Sequence, residues 1–183
     1  MTHPEYYTWK FQTLLIVPPA LALCVCHVML GGHVLQAWDF TGGGPSLRDW
    51  QFPVPYTEMG GEGAVFSLNE SGPLARIDGL AIPADRAREV RIRLRATDRA
   101  TGMEVAPLLW LHWAGGGLQF AGRSCLFEMA YTRVPEYIYS ARPAVENRDL
   151  WSGLIQSLRI IIVLPQNSGK GYRVELFGIE VLE

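Results

Sequence analysis

Three cysteines in 183 residues are too few for a scaffold held together by disulfides. Cys24 and Cys26 share one apolar stretch, and Cys125 stands alone beyond it with no partner in the rest of the chain. Metal-binding spacings are missing too: there is no Cys-x-x-Cys, no His-x-x-x-His and no Asp-x-Asp-x-Asp-Gly loop. The formal net charge is −2, which excludes a dedicated nucleic-acid binder, whose affinity comes from Lys and Arg neutralising phosphates. No Gly-x-Ser-x-Gly elbow is present, and His112 is the only histidine beyond the first third of the chain. Without a triad context, His112 reads as a structural histidine bonded to a neighbouring strand. The triple glycines 42–44 and 115–117 lack the Lys-Ser/Thr pair of a phosphate loop and read as turns. No opposed pair of acids stands out for glycoside chemistry among the 18 carboxylates. These absences point away from an enzyme and call for no cofactor.

The most informative absence is local. Residues 11–38 contain no Asp, Glu, Lys or Arg, and nineteen of these 28 residues are hydrophobic. A bilayer core of roughly 30 Å needs about 20 apolar residues as a helix, so the run is long enough to cross. Tyr6, Tyr7 and Trp9 precede it and Trp38 closes it, in the manner of an interfacial aromatic belt. A cleaved signal peptide fits less well, because the apolar run continues beyond Ala20-Leu21-Ala22. A lipoprotein signal lacks the small residue before its cysteine, since Cys24 follows Leu23 and Cys26 follows Val25. A buried core helix is the remaining alternative. Lys10 before the run and Asp39, Arg48 and Asp49 after it give a positive-inside signal. The expectation is a single-pass protein of an inner, cytoplasmic membrane. Its N-terminus is then cytoplasmic and its larger part periplasmic or extracellular.

Within this stretch Pro18-Pro19 predicts a kink, unless the first turn starts there. His27 falls at bilayer depth and His33 near the far end. Polar residues in lipid usually face protein, so both are candidate contacts to neighbouring helices. A lone histidine gives little support for a pigment or metal ligand.

The remainder reads as strands. Short apolar segments at 64–68, 74–77, 89–96, 108–113, 124–130, 137–140, 158–164 and 172–182 recur at the spacing of an all-β sandwich. The third alternates with period two, with Val90, Ile92 and Leu94 on one face and Arg91, Arg93 and Arg95 on the other. In the last segment Phe177-Gly178 interrupts the alternation of Val174 and Leu176 before Ile179 and Val181 resume it, which predicts a bulge. Residues 83–88 predict one short turn before their strand. The expected organisation is a tail over 1–10, a transmembrane helix over 11–38, a turn-rich connector and first part of the sandwich over 39–63, and the sandwich over 64–183. The expected fold class is mainly β: a two-sheet antiparallel jelly-roll sandwich with one N-terminal transmembrane helix.

Trp151-Ser-Gly-Leu-Ile-Gln-Ser-Leu-Arg-Ile resembles a tryptophan-glycine turn feeding a strand. It is followed by the loop Pro165-Gln-Asn-Ser-Gly-Lys-Gly and by Tyr172-Arg-Val-Glu-Leu-Phe-Gly-Ile-Glu-Val-Leu, which looks like a closing strand. Trp38-Asp-Phe, a glycine-rich turn and Trp50 resemble the matching opening. Together these are similar to the galactose-binding-like jelly rolls, which include many carbohydrate-binding modules. The resemblance spans most of 38–183. It implies a mostly non-catalytic domain that binds sugars, lipids or proteins through loops or one sheet face, sometimes with calcium in its loops. Fold alone does not grant such a function.

Two surface features complete the reading. Arg86, Arg88, Arg91, Arg93, Arg95 and Arg99 are interleaved with Asp85, Glu89 and Asp98. They predict a solvated strand face with local ion pairs. The sharper alternative is docking of Arg91, Arg93 and Arg95 onto lipid headgroups or an acidic subunit. Among the aromatics, Trp110, Trp113, Trp151, Tyr131, Tyr137 and Tyr139 divide between core positions and a sugar-stacking platform. The favoured expectation is an accessory subunit. Its helix packs with other membrane-complex subunits and lipids, and its sandwich clamps neighbours. Energy-converting assemblies, photosynthetic or respiratory, are hosts of this kind. The alternative is a membrane-anchored carbohydrate-binding module of envelope or exopolysaccharide metabolism, with a glycan stacked on Trp110, Trp113 or Trp151.

Overall fold

Alternating apolar residues need a partner layer to cover them, and this chain supplies two sheets that cover each other. The computed structural model describes residues 33–41, 46–60, 63–115, 126–132, 137–143, 151–165 and 169–183. Val34–Glu183 make up one compact unit. Among the described residues its strands are β1 (Val34–Asp39), β2 (Tyr56–Gly60), β3 (Gly63–Leu68), β4 (Gly72–Pro83), β5 (Glu89–Asp98) and β6 (Glu104–Val105). They continue with β7 (Leu108–Gly115), β8 (Leu126–Glu128), β9 (Ala130–Thr132), β10 (Ile138–Ala141), β11 (Leu154–Val163) and β12 (Tyr172–Leu182), and one helical turn, α1 (Ser46–Asp49), follows β1. The protein is mainly β, and both sheets are antiparallel.

The larger sheet runs β2-β3-β12-β5-β10-β9, with β1 added to β12 and β6 to β5, making eight strands. The smaller sheet has four strands in the order β4-β11-β7-β8. Consecutive long strands therefore alternate between sheets: β3 to β4 to β5 to β7, and β10 to β11 to β12. The inward row of the larger sheet includes Phe66, Val90, Ile92, Leu94, Val174, Leu176, Ile179 and Val181. It meets Leu74, Ile77, Leu109, Leu111, Trp113, Leu158, Ile160 and Ile162 from the smaller one.

Two aromatic clusters close the layers. Trp38 meets Trp50 edge-on at 5.3 Å, Trp50 meets Phe40 at 6.1 Å, and Phe52 bridges Phe40 at 6.2 Å and Phe66 at 5.2 Å. In the other cluster Trp151 packs on Trp113 at 5.1 Å and on Phe127 at 6.0 Å. The indole of Trp151 donates its Nε1 hydrogen to the Ala87 carbonyl at 2.7 Å. The predicted turn lies beside it, where the Arg86 and Ala87 amides both donate to the Pro83 carbonyl at 3.2 Å.

The structure moves several expected boundaries. The apolar run does not remain helical to residue 38, because Val34–Asp39 is a strand paired with β12. Trp38, expected in an interfacial belt, is buried in the sandwich core. The run that lacks charge because it enters lipid and the strand that lacks charge because it enters a core are continuous in sequence, and only Gly31-Gly32 punctuates them. The rest of that run and the Pro18-Pro19 kink lie outside the described residues. Among the described residues no helix is long and apolar enough to cross a membrane.

The segment 124–130 divides at Met129 into β8 and β9, which belong to different sheets. The Met129 amide donates to the Leu109 carbonyl at 2.9 Å at this crossing. Strand β4 extends well past residue 77. It absorbs its extra length in a bulge opposite β11, with Gly79 at φ 76°.

Glycines mark where the layers press closest. A Cβ on Gly115 would lie 1.8 Å from the Leu154 carbonyl oxygen, a backbone atom with no room to yield. Gly102 has φ 71° but open space around it. Gly102→Ala therefore costs only the left-handed backbone penalty, about 1–2 kcal/mol. Gly115→Ala must also separate β7 from β11. Thermal unfolding of the full chain in mild detergent is expected to rank Gly115→Ala as clearly the more destabilising of the two.

Candidate functional site

The outer faces of the two sheets differ in chemistry. On the larger sheet, the outward residues of β5 are Arg91, Arg93 and Arg95, all half-buried. Arg95 donates to Glu175 of β12, its direct cross-strand partner, and its guanidinium lies 5.7 Å from the centre of the Phe177 ring. Arg173 reaches the same carboxylate at 3.1 Å. Arg91 pairs with Glu89, which also meets Arg142 at 3.4 Å. Arg93 lies against Gly178. It also acts on Asp39, whose carboxyl is held below its usual range mainly by the Thr41 hydroxyl and amide, with Arg93 adding to the effect. Arg86 makes a two-pronged contact with Glu183 at 3.1 and 3.2 Å. The arginine-rich strand is thus tied to acids of its own sheet.

Glu175 is the least exposed acid of that face, at 9%. Burial pushes its carboxyl up, but hydrogen bonds and charge from Arg95 and Arg173 outweigh this and hold it below the usual glutamate value. On the same sheet Tyr131 stacks against Tyr139 at 4.8 Å. Burial, with a smaller effect of Tyr131, pushes the Tyr139 hydroxyl upward. Tyr137 donates its hydroxyl to Glu104 at 2.6 Å.

The smaller sheet is built differently. Its outward positions on β7 are Leu108, Trp110 and His112, facing Val163, Ile161 and Arg159 of β11. Across β11 the rows continue to β4, where Pro73 stands opposite Ile161 and Arg76 opposite Arg159. Leu108 is 50% exposed and Val163 36%, an unusually open pair for a strand-strand contact of this size. Further along β11 the surface turns cationic: Arg159 lies between Arg76 and His112, the latter only 7% exposed.

Beside Arg76 and Arg159 lies an open cleft of about 390 Å³, lined also by Gln51, Phe52, Pro53 and Pro73. Its wall is fastened to the edge of β4. The Gln51 amide donates to the Arg76 carbonyl at 2.7 Å, and the Arg76 amide donates back to Gln51 at 2.9 Å. Asp78 receives Arg76 Nε at 2.8 Å. Burial pushes the Asp78 carboxyl up, but hydrogen bonds from Ser157 and Arg76 and the charges of Arg76 and Arg159 bring it below its usual value. Among the described residues no three His, Cys, Asp or Glu side chains come together, so the site's chemistry is that of guanidinium groups.

Of the three tryptophans expected to stack sugars, Trp113 and Trp151 are buried in the core and present no face to a ligand. Their period-two neighbours point inward because both strands are covered on that side. Only Trp110 reaches an outer face, half-buried. His33 is exposed immediately before β1, and His27 and Cys125 lie outside the described residues. The sequence reading passed over Arg76, Arg159 and Gln51. A signal was present in Ile160-Ile161-Ile162-Val163, which fails to alternate: in an antiparallel strand that makes both faces apolar.

Acidification tests the ion-paired face. Because Glu175 is held below its unfolded value, its stabilising contribution is complete above the ordinary glutamate range and is lost as pH falls through it. Glu175→Gln is expected to be less stable at neutral pH. It is also expected to lose less melting temperature than the unmodified chain between about pH 6 and about pH 3.

Set against protein-family models, curated proteins and solved structures, the chain matches none of them, so its function is argued from these surfaces alone.

Proposed function

We propose that the protein is a non-catalytic, membrane-anchored accessory subunit that stabilises a larger membrane complex. In this reading the uncharged run that precedes β1 crosses the inner membrane once, with the N-terminus cytoplasmic. The sandwich stands on the periplasmic or outer side and holds neighbouring subunits. Its fold is a galactose-binding-like jelly roll. Support for that comes from the strand orders β3-β12-β5-β10 and β4-β11-β7-β8, in which each sheet takes alternate strands as paired Greek keys do. The contact between Trp38 and Trp50, the two tryptophans of the opening motif, supports it as well.

The observation that carries the reading is the outer face of the smaller sheet. Exposed Leu108 and Val163 pair directly there and continue into half-buried Trp110 and Ile161. Single exposed apolar residues are ordinary, but a contiguous group marks an interaction surface. The glycan reading loses ground on the same face, because two of its three tryptophans are buried.

Gentle detergent extraction followed by native gel and mass spectrometry is expected to find the chain in a complex well above its own 20.4 kDa. The paired substitution Leu108→Asp with Val163→Asp is expected to release it while leaving the melting temperature within about 1 kcal/mol of stability, as for other exposed positions. Migration of the unmodified chain as a lone subunit would sink the proposal.

A further inference from the structure

The cleft beside β4 and the apolar strip on β7 and β11 are continuous parts of one surface. Outward positions along β11 read Arg159, Ile161 and Val163. Residues two apart on a strand are about 6.6 Å apart, so the cationic cleft leads within about 13 Å to the exposed Leu108–Val163 pair. We infer that this surface binds an extended segment of a partner protein, whose carboxylate enters the cleft while two apolar side chains, at the second and fourth positions beyond it, lie on the strip. An extended chain has the same period of two as β11, which places an acid and those two apolar residues on one side of it.

Three observations carry the inference. Arg76 and Arg159 are direct cross-strand neighbours and share one acid, Asp78, so the cluster holds one more positive charge than negative. Guanidinium groups bind carboxylates through paired, charge-assisted hydrogen bonds, which gives geometric as well as electrostatic selection. The cleft wall is also fixed in advance: two backbone hydrogen bonds join Gln51 to Arg76, and Phe52 is anchored on Phe40 and Phe66. Such a wall does not have to be ordered when a ligand enters. The protein origin of the ligand rests on the accessory-subunit reading; its carboxylate chemistry rests on the cleft alone.

The test uses the full chain in nanodiscs and a labelled peptide, acetyl-Asp-Thr-Val-Thr-Leu-amide, followed by fluorescence anisotropy against empty nanodiscs. The expected result is saturable binding that weakens about tenfold or more when the peptide's Asp is replaced by Asn. The same loss is expected for the double variant Arg76→Gln with Arg159→Gln. Asp78→Asn removes the competing acid and is expected to tighten binding, a gain that a misfolded variant cannot imitate. Equal binding by the unmodified chain and the double arginine variant would overturn the assignment. Displacement of the peptide by inorganic phosphate or by a hexuronic acid at matching concentration would overturn it too, giving the cleft to a free anion or an acidic sugar. If the peptide fails to bind while the chain still migrates within a large complex, the cleft assignment falls and the accessory reading stands. If it binds while the chain migrates alone, the reverse holds.

Discussion

The sandwich depends on one extra residue in its last strand. Strand β12 is paired along its length with β5, while β3 lies on its other side over Tyr172–Leu176 and β1 over Gly178–Leu182. Leu176 stands opposite Leu94 and Gly178 opposite Arg93, so Phe177 has no counterpart on β5. Without this bulge Ile179 and Val181 would turn to the solvent face, because a shift of one residue reverses every side chain that follows. The bulge also serves the strand that joins there: the Phe40 amide donates to the Phe177 carbonyl at 2.9 Å. Gly178 allows the approach, since a Cβ there would sit 3.0 Å from the Trp38 carbonyl oxygen. Phe177 itself points outward and takes the Arg95 guanidinium on its ring.

From that joint the position of the cleft follows. Strand β1 delivers Trp38 and Phe40 into the core, and Trp50 and Phe52 fold back onto them. The short segment between Trp50 and Pro53 has its aromatic side chains committed to the core, and its backbone bonds to the edge of β4 instead. It covers an edge that would otherwise present unpaired groups to another chain. In doing so it raises a wall beside Arg76. The cleft is thus a by-product of closing the sandwich, and its shape is tied to core packing rather than to a mobile loop.

Period-two patterns were legible in the sequence wherever a strand has one wet face. Residues 89–96 and 172–182, including the interruption at Phe177-Gly178, fold as their alternation requires. The signal fails where burial comes from both sides or where a strand is short. Residues 34–39 were absorbed into an apolar run because a strand destined for the core lacks charges for its own reason. Strands β6 and β9, two and three residues long, carry too few positions to alternate. The arginine strand was the loudest motif in the sequence, yet its charge is met by Glu89 and Glu175, one of which is 83 residues distant from nothing in its own hairpin but 80 from Arg95. The cleft was illegible for the same reason: Gln51, Arg76 and Arg159 are brought together only by the order of strands.

The two outer faces also answer the question of which one is available to a partner. On the larger sheet, half-buried arginines and carboxylates satisfy one another, and a partner binding there would have to strip ion pairs that already compensate their own desolvation. On the smaller sheet, the apolar side chains Leu108 and Val163 gain by leaving water, at roughly 25 cal/mol per Å² of apolar surface covered. The cationic row at its end contributes direction rather than bulk affinity, since like charges are rejected and an acid is accepted in one register. Arg91, Arg93 and Arg95 therefore belong to the stability of the sandwich. Recognition belongs to the strand where Ile160-Ile161-Ile162-Val163 breaks the alternation, because an antiparallel strand that is apolar on both faces has two surfaces to cover and only one of them is the core.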